Sequence, residues 1–223
     1  MLALSTAEEN YLKCIYHLTQ KEEGVISTNE IAAAIKTKPA SVSDMLKKLA
    51  EKEILMYTKY HGAGLTPLGK KTALQVIRRN RLWEVFLVDK LRFQWDQVHE
   101  VAEQLEHVRS PLLIRRLDEY LGFPKFDPHG DPIPDESGEL HSSPRTILQD
   151  MKEGARGKIV AVNDNSAAFL RYLDKVGAYI GAKVEILDKV EFDGSLEIRL
   201  DEGKKVFVSK EVAANIYIQA FEN

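Results

Sequence analysis

The 223-residue sequence contains a single cysteine, Cys14, and no apolar run close to the roughly 20 residues that a membrane-spanning helix needs. One thiol cannot build a framework of disulfides, and Cys14 lies in a stretch rich in Tyr, Leu and Ile, where we expect a packed core. The N-terminal segment lacks the basic start and the small-residue cleavage site of a signal peptide. These absences argue against membrane and disulfide-rich secreted proteins, and we expect a cytoplasmic location.

Catalytic motifs are also missing. The chain has no H-E-x-x-H pair, because residue 103 is Glu where the second histidine would stand, and it has neither a nucleophile motif nor a glycine-rich phosphate loop. We therefore expect no enzyme, and a metal-dependent hydrolase is only an alternative. The net charge of −3 does not indicate nucleic-acid binding, but residues 36–59 hold six lysines against three acids. A local basic patch of this kind suits DNA phosphates.

The N-terminal third has the pattern of a winged helix. A helix over about 5–20 is followed by a second one over 27–35, a short turn, and a third helix that begins near Pro39. Residues 54–66 then form two strand-like runs joined by a glycine-containing turn, which predicts a wing. Two short helices joined by a tight turn are typical of a helix-turn-helix, whose second helix enters the major groove.

The third helix predicts where DNA would bind. Its small and polar residues can approach base edges, its lysines can reach phosphates, and the wing adds basic residues near its tip. The predicted DNA-contacting set is Thr28, Lys38, Pro39, Ala40, Ser41, Ser43, Asp44, Lys47, Lys48, Lys59 and His61. A small helical subdomain with solvated lysines, or a winged helix that contacts protein, is the alternative.

The segment HEVAEQLEH, residues 99–107, suggests a metal site. On a helix, side chains three and four positions apart share a face, so His99, Glu103, Glu106 and His107 fall on one stripe. Imidazole and carboxylate ligands without thiolate suit a divalent transition metal. A solvated polar helix face is the competing interpretation.

The middle of the chain combines long helices with a linker. A helix over about 67–92 is apolar on more than one side, and with a helix over 110–121 it predicts a dimerisation module, although core packing alone would explain many of the same residues. Residues 122–145 concentrate Pro, Gly and acids, which is the composition of a linker. We expect its two histidines, His129 and His141, to be solvated.

The C-terminal part predicts a small β-barrel. Apolar and polar residues alternate over four short runs, separated by one helix of about 166–176 and an Asp193-Gly194 turn. The runs are 157–162, 183–187, 195–200 and 205–208. The expected fold class is therefore mainly α with small β parts: a winged helix-turn-helix over 1–72, a helical metal-binding and dimerisation domain over 73–145, and an SH3-like barrel over 146–223.

Four segments together resemble a known family. They are ENYLKCIY at 9–16, RNRLWEVFL at 79–87, HEVAEQLEH at 99–107 and GFPKFDPHGDPIP at 122–134. In this order and spacing the chain is similar, over nearly its whole length, to the diphtheria-toxin-repressor family of iron- and manganese-dependent transcription regulators. The resemblance implies a homodimer that binds palindromic operator DNA when a divalent metal is bound, usually as a repressor.

The resemblance also implies two metal positions per subunit. The activating site would use Asn10, Glu103, Glu106 and His107. The second site would use Asn80, Glu84 and His99, with Asp164 of the barrel as a further carboxylate.

Three of these positions depart from the family pattern. Residue 10 is Asn where the family commonly has Met or Asp, residue 80 is Asn where it commonly has His, and residue 103 is Glu, as in manganese-responsive branches, where iron-responsive members have Cys. A Glu ligand favours oxygen-loving Mn²⁺, with Fe²⁺ as the alternative. The missing imidazole at Asn80 leaves one or two ions per subunit open. A winged-helix regulator that responds to an organic ligand is the remaining alternative.

Overall fold

The computed structural model describes residues 3–21, 25–58, 61–140, 144–201 and 203–221, and the chain divides into two compact units. The first unit comprises Met1–Arg81, Glu103–Arg115 and Pro134–Leu140, and the second comprises Leu82–Ala102, Arg116–Ile133 and His141–Asn223. Within the described ranges, no helix combines the length and the apolar character that crossing a bilayer requires.

The first unit contains the predicted winged helix. Helices α1 (Thr6–Lys21), α2 (Thr28–Ile35) and α3 (Pro39–Glu51) precede a hairpin of β1 (Leu55–Thr58) and β2 (Gly62–Leu65). Local chemistry explains the boundaries of α2 and α3. Ser27 and Glu30 form a reciprocal capping box at the start of α2, Lys36 ends it in the left-handed conformation, and Pro39 occupies the first turn of α3. The predicted helix-turn-helix is confirmed.

One hydrophobic core holds these elements together. The apolar faces of α1, α2 and α3 meet the hairpin and the first half of the next helix, and the fully buried side chains include Leu12, Ile15, Ile31, Val42, Leu46, Leu49 and Ile54. The hairpin is fixed to this core by an antiparallel bridge between Ile26 and Ala63. Gly62, with φ of +104°, lies so close to Ile26 that a Cβ there would be 2.9 Å from its carbonyl oxygen.

Three helices contribute residues to both units: α4 (Pro67–Asp89), α5 (Val98–Leu105) and α6 (Pro111–Tyr120). They match the predicted helices, but α4 ends three residues before the expected 92 and α5 ends before Glu106. Glu106 and His107 therefore lie outside the helix, so they do not share a helix face with His99 and Glu103 as the sequence predicts.

The second unit contains the predicted β structure. Its six-stranded antiparallel sheet has the order β3-β8-β4-β5-β6-β7. The strands are β3 (Thr146–Ile147), β4 (Arg156–Val162), β5 (Lys183–Lys189), β6 (Leu196–Leu200), β7 (Lys204–Val208) and β8 (Ile216–Ala220), with α7 (Ala167–Val176) after β4 and α8 (Lys210–Ala213) before β8. Alternating residues of β4, β5 and β6 fill a second hydrophobic core together with α7. The sequence analysis found β4, β5, β6 and β7 and missed β3 and β8.

The expectation of a solvated histidine at position 129 is wrong. His129 is only 3% exposed, because its ring stacks on Trp95 and its Nε2 is 2.9 Å from the Trp95 carbonyl oxygen. The surrounding segment is folded rather than extended: Phe126 bridges to Pro132, and the Asp127 carboxylate accepts backbone hydrogen bonds from His129 and Asp131. His141 lies outside the described residues.

Candidate metal centres

Within the described residues, one group of three donors whose ligand atoms lie close enough to hold a single ion is found in the second unit, and a looser group around His107 lies in the first unit. The predicted stripe over His99–His107 divides between them. Glu103, Glu106 and His107 belong to the first unit, whereas His99 belongs to the second. We describe the clusters as the first centre and the second centre.

The first centre is organised by Glu9, a buried carboxylate on α1. One oxygen, Oε2, is 2.6 Å from Nδ1 of His107. The other oxygen, Oε1, is 2.9 Å from Nη2 of Arg79 and 3.2 Å from Nε of Arg109. A histidine that donates its Nδ1–H to a carboxylate keeps Nε2 free of a proton, which is the arrangement in which metal-binding histidines are usually held. Sequence reasoning did not identify Glu9.

One further carboxylate, that of Glu106, lies beside this imidazole, and Lys13 connects it to the carboxylate of Glu103. His107 Nε2 is 3.7 Å from Oε1 of Glu106, and ligand atoms bound to one ion lie about 3–4.4 Å apart, given metal–ligand distances of about 2.2 Å. The ammonium group of Lys13 lies 3.2 Å from Oε1 of Glu103 and 2.9 Å from the Glu106 carboxylate. The carboxylates of Glu103 and Glu106 are therefore close enough to bind one positively charged group at the same time.

Burial makes Glu106 dependent on such a charge. Its side chain has no solvent exposure, and burial raises its pKa above the ordinary value, although the charge and hydrogen bond of Lys13 act in the opposite direction. Arg79 donates from Nε to the Glu106 backbone carbonyl and so holds the chain just beyond α5. The carboxylates of Glu103 and Glu106 and the imidazole of His107 are donor types that suit a divalent cation, which would take the place of the Lys13 charge.

The fourth predicted ligand of this centre lies on the surface. Asn10 is exposed on α1, whereas its neighbour Glu9 points its carboxylate at His107. Helical geometry places adjacent residues about 100° apart, so the two side chains take different directions.

The second centre is built around Glu84 of α4, a buried carboxylate in the second unit. Its Oε1 is 3.5 Å from Nδ1 of His99, and its Oε2 is 3.6 Å from Nδ1 of His129. Asp127 completes a group in which one ligand atom from each of Glu84, Asp127 and His129 lies within 4.8 Å of the others. His129 and Asp127 come from the segment that the sequence analysis treated as a linker.

Strong electrostatic coupling accompanies this geometry. Burial disfavours the charged form of Glu84, but the nearby imidazoles of His129 and His99, at 3.6 and 3.5 Å, outweigh it and lower the pKa of Glu84 to about 2. Burial likewise opposes a charged His129, but the hydrogen bond and charge of Glu84 raise its pKa to about 9. The buried carboxylate therefore holds a protonated histidine where a metal ion would otherwise supply the positive charge. Its donor set of carboxylates and imidazoles fits a divalent transition metal.

The two remaining predicted ligands of the second centre are Asn80 and Asp164. Asn80 precedes Glu84 by one helical turn, is 9% exposed, and its Nδ2 has no hydrogen-bond partner among the described residues. Asp164 follows β4, and its Oδ1 accepts a hydrogen bond of 2.8 Å from the Ser166 backbone. The Val162 N–H, two residues earlier, donates to the His129 carbonyl oxygen (2.9 Å).

The predicted DNA-contacting residues lie mainly on the surface of the first unit. Lys38, Pro39, Ala40, Ser41, Asp44, Lys47, Lys48 and His61 are exposed, Thr28 and Ser43 are half-buried, and Lys59 lies outside the described residues. Lys47 pairs with Asp44 one turn away (3.3 Å). Lys48 and Lys52 both pair with Glu8 of α1, at 3.3 and 2.6 Å. Ion pairs and hydrophobic packing thus both hold the recognition helix α3 against α1.

Comparisons with known proteins match three family models to successive parts of the chain. Residues 3–63 match the N-terminal DNA-binding domain of iron-dependent repressors, residues 66–135 match their metal-binding and dimerisation domain, and residues 146–220 match the FeoA domain. The chain is 30% identical over 200 residues to the diphtheria toxin repressor of Corynebacterium glutamicum, a match that covers 85% of this chain and 87% of that protein. It is also 35% identical over 119 residues to the HTH-type transcriptional regulator MntR of Bacillus pumilus, covering 52% and 78% of the two chains.

A solved structure is also similar to this chain. A manganese-dependent transcriptional repressor in complex with manganese superposes with a TM-score of 0.86 at 32% identity, covering 96% of this chain and 100% of the other.

The buried pair of Glu84 and His129 predicts how the stability of the metal-free protein depends on pH. The pKa of His129, about 9, lies above its ordinary 6.5, so its contribution is complete below pH 6.5 and is lost as the pH rises through 9. The pKa of Glu84, about 2, lies below its ordinary 4.5, so its contribution is complete above pH 4.5 and is lost as the pH falls toward 2.

We therefore expect thermal unfolding with chelator present to show a Tm that falls, on the order of 5–10 °C, between pH 6.5 and 9. His129→Gln should remove most of this fall, whereas the exposed-histidine control His17→Gln should keep it. An unchanged pH profile in His129→Gln would contradict the assignment.

Proposed function

Because the chain belongs to the diphtheria-toxin-repressor family, we propose that it is a metal-dependent transcriptional regulator that represses metal-homeostasis genes. Mn²⁺ is the proposed effector, with Fe²⁺ as the alternative. The protein would act as a homodimer on palindromic double-stranded operator DNA, and we propose the cytoplasm, where that DNA is, as its location.

The observation that carries this proposal is the position of two adjacent acids on α1. Glu8 pairs with Lys48 of α3 and with Lys52 directly after it, and Glu9 bonds to His107 in the first centre. Both carboxylates are buried. A shift of α1 toward or away from His107 would therefore be transmitted to the recognition helix, since α1 and α3 share one hydrophobic core in addition to these ion pairs.

This arrangement gives each residue of the first centre a role. Glu9 would orient the His107 imidazole so that Nε2 faces Glu106, while Glu103 and Glu106 supply oxygen ligands. A bound divalent cation would supply the charge that lets these two acids lie together, a charge that Lys13 now provides. Asn10 stays a proposed ligand that depends on local adjustment of α1. Thermodynamic linkage then requires that DNA binding and metal binding favour each other by the same factor.

The ligand chemistry supports manganese. Glu103 contributes a hard oxygen where a thiolate would favour softer metals, and the chain's one cysteine, Cys14, is partly buried on α1. For the second centre we propose Glu84, His99, Asp127 and His129 as ligands, with Asn80 and Asp164 as further candidates. Two ions per subunit are therefore the proposed full load.

The remaining parts take supporting roles. We propose the boundaries 1–72, 73–145 and 146–223 for the DNA-binding, metal-binding and SH3-like domains. Exposed apolar side chains on α6, notably Leu112, Leu113 and Tyr120, support α6 as part of the dimer contact. The α3 surface with Ser41, Ser43 and the neighbouring lysines is the proposed DNA-contacting face.

Substitution of first-centre ligands tests the proposal. Fluorescence anisotropy would follow labelled DNA from upstream of this gene and of neighbouring metal-transport genes, first with chelator and then with Mn²⁺. We expect Mn²⁺ to tighten binding by the wild type at least tenfold, and His107→Ala and Glu103→Gln to reduce that gain to less than threefold. Glu100→Gln, the same change one turn away on α5, is the matched control. Variants that respond to Mn²⁺ like the wild type would refute the first centre.

The contribution of α3 to phosphate contact is tested by salt. Lys47 is exposed and pairs only loosely with Asp44, so it is available for a phosphate. In the metal-loaded protein, Lys47→Ala should reduce the magnitude of the slope of log affinity against log salt concentration by about 0.9, the value expected for the loss of one phosphate contact. Lys70→Ala, an exposed lysine on α4, is the control. An unchanged slope in Lys47→Ala would remove this residue from the interface.

A further inference from the structure

A second feature of the first unit is a cavity of about 200 Å³ that is lined by four arginines. We call it the arginine cavity. Its lining residues are Gln75, Arg78, Arg79, Arg109, Pro111, Ile114, Arg115 and Glu136. Four guanidinium groups outnumber the two carboxylates beside them, Glu136 in the wall and Glu9 paired with Arg79 and Arg109, so the walls carry an excess of positive charge.

Two of the arginines are built into the fold. Arg78 is 8% exposed and donates from Nη1 to the Pro134 carbonyl oxygen (2.6 Å), and Arg79 is 9% exposed and bonds to Glu9 and to the Glu106 carbonyl. Their positions are therefore fixed, unlike those of surface side chains. Arg109 and Arg115 are more exposed and lie toward the solvent.

The start of a helix adds to this positive potential. The ten-residue helix α6 begins at Pro111 and contributes Ile114 and Arg115 to the cavity wall. The first-turn N–H groups of a helix carry a partial positive charge, which favours anions near that end. The fixed guanidinium groups and the helix end thus act in the same direction.

We propose that the arginine cavity binds a small oxyanion with two or more negative charges, such as phosphate, sulfate or a di- or tricarboxylate. Guanidinium groups bind such oxygens in pairs, through charge-assisted hydrogen bonds. The volume of about 200 Å³ admits an anion of this size and is smaller than the roughly 300 Å³ at which pockets for larger organic ligands begin.

The cavity is connected to the first centre by Glu9. Arg79 and Arg109 line the cavity and hold Oε1 of Glu9, while Oε2 of the same carboxylate holds His107. An anion that binds Arg79 and Arg109 in place would share their positive charge with Glu9 and leave the negative charge of Glu9 less compensated. A cation near His107 would then bind more tightly. This coupling, unlike anion binding itself, rests on the proposed metal centre.

Anion binding is tested first on the full-length protein with chelator present. Isothermal titration calorimetry with sodium sulfate, phosphate and citrate, at ionic strength held constant with NaCl, would measure affinity and rank tetrahedral anions against carboxylates. We expect saturable binding of at least one of the three near one equivalent per subunit, and at least a fivefold loss of affinity in Arg115→Gln. Arg116→Gln, the next residue of α6, which pairs with Glu119 outside the cavity, is the matched control and should bind like the wild type.

Two results would overturn the anion site. One is the absence of saturable binding for all three anions in the wild type. The other is equal binding in the wild type, Arg115→Gln and Arg116→Gln, which would indicate a general salt effect on the protein surface.

The coupling is tested by the affinity for Mn²⁺, followed by electron paramagnetic resonance of the free ion in sulfate and in chloride of equal ionic strength. Sulfate should tighten Mn²⁺ binding several-fold in the wild type and in Arg116→Gln, but not in Arg115→Gln. Mn²⁺ binding that sulfate leaves unchanged would refute the coupling, and failure of Mn²⁺ to bind at all would instead refute the proposed function.

Discussion

The hydrogen bond between Glu9 and His107 is the contact on which the rest of the account depends. Glu9 is a buried carboxylate with two different neighbours: arginines on one oxygen and a candidate metal ligand on the other. Removing it would leave Arg79 without its carboxylate partner and His107 without its orienting group. Because Glu8 beside it holds α3, the same turn of α1 connects the candidate metal centre with the DNA-binding surface.

Much of the fold could be predicted because it follows from local chemistry. The capping residue Ser27, the proline at the start of α3 and the glycine-containing hairpin are local signals, and they place the helix-turn-helix and the wing within one or two residues. Alternating apolar residues likewise located four strands of the second unit. Strands β3 and β8 were missed because β3 has only two residues and β8 follows a short helix without a clear turn signal.

The candidate sites were less predictable because their geometry depends on distant segments. Glu103, Glu106 and His107 were found from their spacing, but Glu9 was not, since an acid in the first turn of a helix is ordinarily explained by the helix dipole. His129 and Asp127 were missed because Pro- and Gly-rich composition predicts solvent exposure. The stacking on Trp95, the approach of Glu84 and the hydrogen bond from Val162 bury this segment. Such contacts between residues tens of positions apart leave no periodic signal in one sequence.

Reciprocity between metal and DNA tests the central claim most directly. The affinity for Mn²⁺ would be measured by electron paramagnetic resonance of the free ion, with and without saturating operator duplex, alongside the affinity for DNA with and without Mn²⁺. If the first centre controls α3 through α1, operator DNA must tighten Mn²⁺ binding by the same factor by which Mn²⁺ tightens DNA binding. An affinity for Mn²⁺ that is the same with and without DNA would contradict the account.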